Sequence, residues 1–138
     1  MAGDVVVGMV KDIASVWPGV KALLSEAVTR DGSTMTLDAL ADELLSGRKQ
    51  LWVGASGARG IEAVLVTEII QHSAVRALVM VLCIGVDRGR WLSHLDAVVA
   101  FARENHCGIL RALSRPGWRR DLAKIGFRHR HDILEMAL

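Results

Sequence analysis

The residues best placed for chemistry lie in one short stretch. Gly85-Val-Asp-Arg-Gly-Arg90 follows an apolar run, Ala77 to Val86, and precedes a helical pattern opening at about Trp91. A strand, a glycine-bearing loop and a helix N-terminus in that order can hold phosphate, because unpaired backbone N–H groups and the helix dipole converge on the loop. Arg88 and Arg90 would add charge there. Other reactive residues are scattered. Glu68 interrupts an apolar strand, and His72 lies in the turn after it. Cys83 sits inside the apolar run, where a thiol is more often a small core residue than a nucleophile. His129 and His131 could share one face of a strand, but the sequence offers no third ligand beside them, so no metal is expected.

The totals narrow the classes. A chain of 138 residues, half of them hydrophobic, is expected to form one domain, 1–138, with a real core. Its aromatic residues are four Trp and two Phe, with no Tyr. The longest apolar stretch, Ala63 to Val86, is broken by Glu68, His72 and Arg76, so no membrane span is expected. The Met-Ala-Gly-Asp start lacks the basic region of a secretory signal. Cys83 and Cys107 do not make a disulfide framework. An intracellular, cytoplasmic location with reduced thiols is the expectation. Net charge is +2, but residues 1–102 carry −2 and residues 103–138 carry +4. Arg115, Arg119 and Arg120 belong to the basic part, which suits either an anionic cofactor or a solvated surface. No nucleic-acid motif accompanies them, so nucleic-acid binding is not expected.

The elements that must position these residues are set by pattern. Asp4 to Val10 reads as a first strand and Ile13 to Thr29 as a helix, with Pro18 tolerable only in its first turn. Arg30 to Thr34 is a loop by composition. Thr36 can cap a second helix carrying Leu37, Leu40, Ala41, Leu44 and Leu45, and Gly47 can end it. Gln50 to Ala55 and Ile61 to Ile70 read as strands joined by a glycine-bearing turn, and the apolar run from about Val75 completes an antiparallel meander. A helix through Leu95, Val98, Val99 and Ala102 comes next, ended by Gly108. Ile109 to Ser114 is a fifth strand. Pro116 opens another helix, which Gly126 ends. Phe127 to Leu138 reads as a last strand, with Leu134, Met136 and Leu138 alternating onto one face and free to pair with a second subunit.

In that order, the chain resembles the GCN5-related N-acetyltransferase (GNAT) superfamily over nearly its full length. Leu122-Ala-Lys-Ile-Gly-Phe127 resembles the family's helix that closes on Gly-Phe. Gln50-Leu-Trp-Val53 and Val64-Leu-Val-Thr-Glu-Ile69 resemble its second and third strands. The Gln-Leu-Trp-Val and Arg115-Pro-Gly-Trp118 pieces are also similar to small GNAT-like proteins of bacteriophages and prophages. The resemblance implies a mixed, mainly antiparallel sheet with helices on both faces. It also implies acetyl-CoA as cofactor and an amine as acceptor. The pantetheine arm would lie along the fourth strand at Leu82, Cys83, Ile84 and Gly85. The pyrophosphate would lie over Arg88, Gly89, Arg90 and Ser93. The amine would attack the thioester directly, helped by a base.

Two departures bear on activity. Trp91 stands where the family's phosphate loop has its first glycine, and Ser93 stands at the second. The family's tyrosine acid has no counterpart, and the fourth strand carries no acidic residue, which leaves Glu68 as the favoured base with His72 behind it. The plainer expectation for Glu68 is a solvent-facing residue or a pair with Arg76. Two functions are therefore carried forward. One is an acyl-CoA-dependent N-acetyltransferase acting on an amine. The other is a catalytically silent GNAT-fold binding or assembly protein of phage origin, in the bacterial cytoplasm or associated with a virion.

Overall fold

The computed structural model describes residues 5–30, 34–57, 59–86 and 88–138. The chain start before Val5, most of the Arg30–Thr34 loop, Ala58 of the glycine-bearing turn and Asp87 of the phosphate-type loop lie outside them. Five strands form one sheet in the order β1-β2-β3-β4-β5. They are β1 Val6–Met9, β2 Gln50–Ser56, β3 Gly60–Gln71, β4 Arg76–Gly85 and β5 Ile109–Ala112. The first four are antiparallel to their neighbours, and β5 is parallel to β4. This is the mixed, mainly antiparallel sheet that the resemblance implies.

Helices cover both faces. Helix α1, Ile13–Arg30, and helix α2, Leu37–Leu45, bury Val20, Leu24, Leu40 and Leu44 against Val64, Val66, Leu82 and Ile84. A single turn, α3 Arg88–Trp91, leads from β4 toward α4, Asp96–Glu104. On the other face of the sheet, α4 and α5 (Arg119–Lys124) bury Val98, Ala102 and Leu122 against Trp52, Leu65, Leu78 and Met80. Within that core, the Trp52 Nε1–H donates to Thr67 Oγ1 (2.9 Å), whose hydroxyl donates to Gln50 Oε1 (2.8 Å).

Helix ends obey their capping chemistry. Thr36 Oγ1 accepts from the Ala39 N–H at 3.2 Å, as its place before an apolar stripe requires. Gly47 and Gly126 take φ of +81° and +105° just past α2 and α5. Four expectations need correction. Pro18 lies in the second turn of α1, not the first, because Asp12 already starts the helix by accepting from the Ser15 N–H. Trp91 does not open the long helix; it ends the short α3 turn, and α4 begins at Asp96. Gly108 does not stop α4. His106 does so, at φ 60°, with the Cys107 N–H reaching back to the Ala102 carbonyl at 2.8 Å. Residues 127–138 form no strand; Leu134 and Met136 are 92% and 82% exposed. A strand exists only where a neighbour supplies its hydrogen bonds, and periodicity alone does not supply one.

Candidate active-site cleft

Two β-bulges shape the site. Between Val66↔Leu82 and Thr67↔Met80, β4 advances two residues while β3 advances one, so Val81 is extra. Between Gly54↔Ala63 and Ala55↔Ile61, the extra residue is Glu62 of β3. A bulge bends its strand and resets the facing of the residues beyond it. Met80 faces the α4/α5 core, Val81 and Leu82 both face the α1/α2 core, and Cys83 returns to the first face.

The Val81 bulge lies where β5 leaves the sheet. The parallel pairing runs from Ala77↔Ile109 to Met80↔Ala112 and stops, apart from the Leu113 N–H donating to the Met80 carbonyl at 3.1 Å. Beyond it, β4 keeps β3 on one side and, among the described residues, no strand on the other. The Val86 N–H donates to the Glu62 carbonyl (2.9 Å), so by alternation Cys83 and Gly85 turn their N–H and C=O to the open side. The parting strands leave a narrow cleft lined by Met80, Cys83, Leu113, Ser114, Trp118 and Leu122.

The residues expected around it separate into three groups. Cys83 lines the cleft, and Gly85 lies outside its lining, against the Trp91 indole. Leu82 and Ile84 are buried under α1 and α2, so their side chains cannot reach it. Gly89 and Ser93 are exposed in and after α3, and Arg88 begins that turn. Arg90 is committed elsewhere. Its Nε and Nη2 donate to the two carboxylate oxygens of Glu62 at 2.7 and 3.2 Å. Glu62 is 1% exposed, and its carboxyl is lowered to about 2, first by the Arg90 hydrogen bonds and then by Ser56, against the opposing effect of burial. Arg59 Nη1 stands 3.6 Å from the same carboxylate.

Trp91 does not plug the cleft. It is fully buried behind the cleft wall, with its ring 5.7 Å from that of Trp118. Its indole lies flush on Gly85: a Cβ there would meet Trp91 Nε1, Ala63 Cβ and the Glu62 carbonyl, each at 2.8 Å. Gly85 therefore makes room for the indole of this chain's own core. Trp91 Nε1 has no hydrogen-bond partner among the described residues.

Glu68 lies on the α1/α2 face, in the row Glu68↔Val79↔Arg111 across β3, β4 and β5. It pairs with Lys49 Nζ at 3.4 Å, and Lys49 also binds Glu43, whose carboxyl it lowers. The expected Arg76 pairing does not form; Arg76 donates to Gln71 and to the Asn105 carbonyl. His72 stands 3.1 Å from Arg111. His129 contacts Asp132, and in the absence of a strand its two-residue spacing to His131 does not fix a shared face. Met80, Leu113 and Ser114 line the cleft without having been expected there. A parallel fifth strand that stops early implies that the residues after its last pair line the opening, and Pro116 marks where it must end.

Among the described residues, no helix is long and apolar enough to cross a membrane. No family model matches the chain, and a search of curated proteins returns no match. Solved structures do match. A Trypanosoma brucei acetyltransferase is 12% identical, with 98% of this chain and all of that one covered at a TM-score of 0.67. A predicted acetyltransferase from Clostridium acetobutylicum, solved with acetyl-CoA, is 16% identical, with 96% of each chain covered at 0.65. An aminoglycoside acetyltransferase from an uncultured soil metagenomic sample, in complex with sisomicin, is 12% identical, with 97% of this chain and 95% of that one covered at 0.67. The likeness is one of fold: this chain has the GNAT acetyltransferase architecture over nearly its whole length.

Proposed function

We propose that this domain binds an acyl-CoA and transfers the acyl group to an amine. The observation that carries the reading is the parting of β4 and β5 beyond Met80 and Ala112, which opens a cleft beside Met80, Cys83 and Trp118. An extended amide-bearing arm fits such an edge, because it can pair with strand backbone while Met80, Trp118 and Leu122 cover its apolar parts. When bound, the cofactor supplies the thioester that the amine attacks. The residues present fit the arm. At the phosphate end, Arg88, Gly89 and Ser93 are the available candidates, since Glu62 neutralises Arg90.

Glu68 is the proposed base. It lies one strand from the parting, about 4.8 Å across the ladder from Val79. It also faces away from α4 and α5, where an acceptor would approach the far side of the gap. Ser114 and Cys83 give the leaving thiolate polar neighbours in place of a tyrosine. The acceptor class is an amine, as in the neighbour solved with sisomicin. In an acyl-transfer assay, Glu68→Gln is expected to lower turnover about 10²-fold, with cofactor affinity unchanged. Equal turnover in the two proteins would remove Glu68 from the site.

A second reading rests on the loop. With Arg90 held by Glu62 and Trp91 in the core, the domain would be a non-catalytic binding component, and the Gln-Leu-Trp-Val and Arg-Pro-Gly-Trp resemblance suggests a phage or prophage setting for it. It predicts no rise in melting temperature with saturating acetyl-CoA, whereas the enzyme reading requires one.

A further inference from the structure

A group of charged side chains lies beside the parting of the strands, on the face away from the cleft lining. Leu78 and Met80 face the α4/α5 core, so Val79 and its row partners Glu68 and Arg111 face the α1/α2 side. His72 joins them from the turn after β3. The last β4–β5 pair is Met80↔Ala112, so this row stands one residue before the strands part. Its charges therefore flank the place where an acyl group would be presented.

Opposite charges are left over at the two ends of the row. On the β3 side, Glu68 and Glu43 both pair with Lys49, so two carboxylates share one ammonium whose side chain is 7% exposed. That trio keeps one formal negative charge. On the β5 side, Arg111 meets no carboxylate among the described residues; its contact is Nη1 on His72 Nε2, 3.1 Å away. A guanidinium only donates, so the imidazole nitrogen accepts. The contact leaves the Nε/Nη2 edge of Arg111 clear, and that edge matches two oxygens of one oxyanion. Glu68 and Arg111 do not satisfy each other. Buried Val79 stands between them, and their strands are about 10 Å apart across β4.

We propose that the acceptor is an amine bearing an oxyanion, with its nitrogen at Glu68, its anion on Arg111, and His72 positioning the guanidinium. The inference rests on the acyl-transfer reading with Glu68 as base and adds the substrate class. A neutral amine leaves Arg111 without a counter-charge, and a second cationic group meets it as a like charge. The anion takes no part in the transfer. The amine nitrogen bonds to the acyl carbon as the C–S bond breaks. Of the two protons the ammonium loses, one goes to Glu68 and one to the departing thiolate.

The test is an acetyl-transfer assay on matched acceptors, 4-aminobutyrate against butylamine and O-phosphoethanolamine against ethanolamine. At least one acidic amine is expected to exceed its neutral partner about tenfold in kcat/KM, and the pair that shows this identifies the anion as carboxylate or phosphate. Arg111→Gln should lower that preference about tenfold, chiefly through KM, and Arg111→Glu should reverse it, which an unfolded protein could not do. Equal kcat/KM for acidic and neutral amines would overturn the proposal and leave acyl transfer standing. A preference that survives Arg111→Gln would overturn it too. So would transfer to none of the four: acetyl-CoA that still bound in a titration would then leave the acyl-CoA reading in place, and acetyl-CoA that did not bind would end both.

Discussion

Glu62 shows how far one residue's role can depend on a single backbone irregularity. In a regular strand between Ile61 and Ala63 its side chain would simply alternate. The bulge instead buries it beneath Arg90, and the pair fastens the loop after β4 to β3. Its folded-state carboxyl is depressed to about 2 from 4.5, so its stabilising contribution is complete above about pH 4.5 and is lost as pH falls toward 2. Thermal unfolding measured between pH 6 and 2 should show this acid-side loss, and Glu62→Gln should flatten it. Gly85 is the second sensitive point. Gly85→Ala must displace Trp91 or strand backbone, and chemical denaturation should show a loss of about 1–3 kcal/mol. Cys83 and Arg90 are visible in the sequence as residues near a site. Their opposite fates, one in the cleft and one in an ion pair, are not, since both depend on bulges hidden in apolar runs.

At the scale of elements, periodicity and caps locate most of the architecture. Thr36, Gly47 and Gly126 mark helix ends through capping chemistry that is local and therefore legible. The β3–β4 meander is encoded by two apolar runs and a short turn. The hidden features depend on partners. The expected last strand has the right alternation, but it pairs with no strand among the described residues. Val81 changes the facing of β4 without any change in residue character, because valine and leucine suit either core. Pro18 is an exposed residue in the second turn of α1, where it withholds an N–H from the Ala14 carbonyl. Pro18→Ala should therefore stabilise the fold by about 1–2 kcal/mol, the helical gain outweighing the looser unfolded chain. A lower melting temperature would mean that the proline fits a bend the helix needs.

For the whole molecule, the sheet divides the labour. The α1/α2 face buries one core cluster and the α4/α5 face the other. The β4–β5 side carries the cleft lined by Met80, Cys83, Trp118 and Leu122. The central claim is that the parting strands receive the arm of an acyl-CoA, and isothermal titration of the full chain with acetyl-CoA tests it most directly. Saturable one-site binding is expected, weakened by Ala112→Trp, which would fill the cleft. Little change is expected with Arg90→Met in a protein that remains folded, since Arg90 serves Glu62. Absence of heat together with absence of thermal stabilisation at saturating acetyl-CoA would contradict the claim and leave the GNAT fold serving a purpose other than acyl transfer.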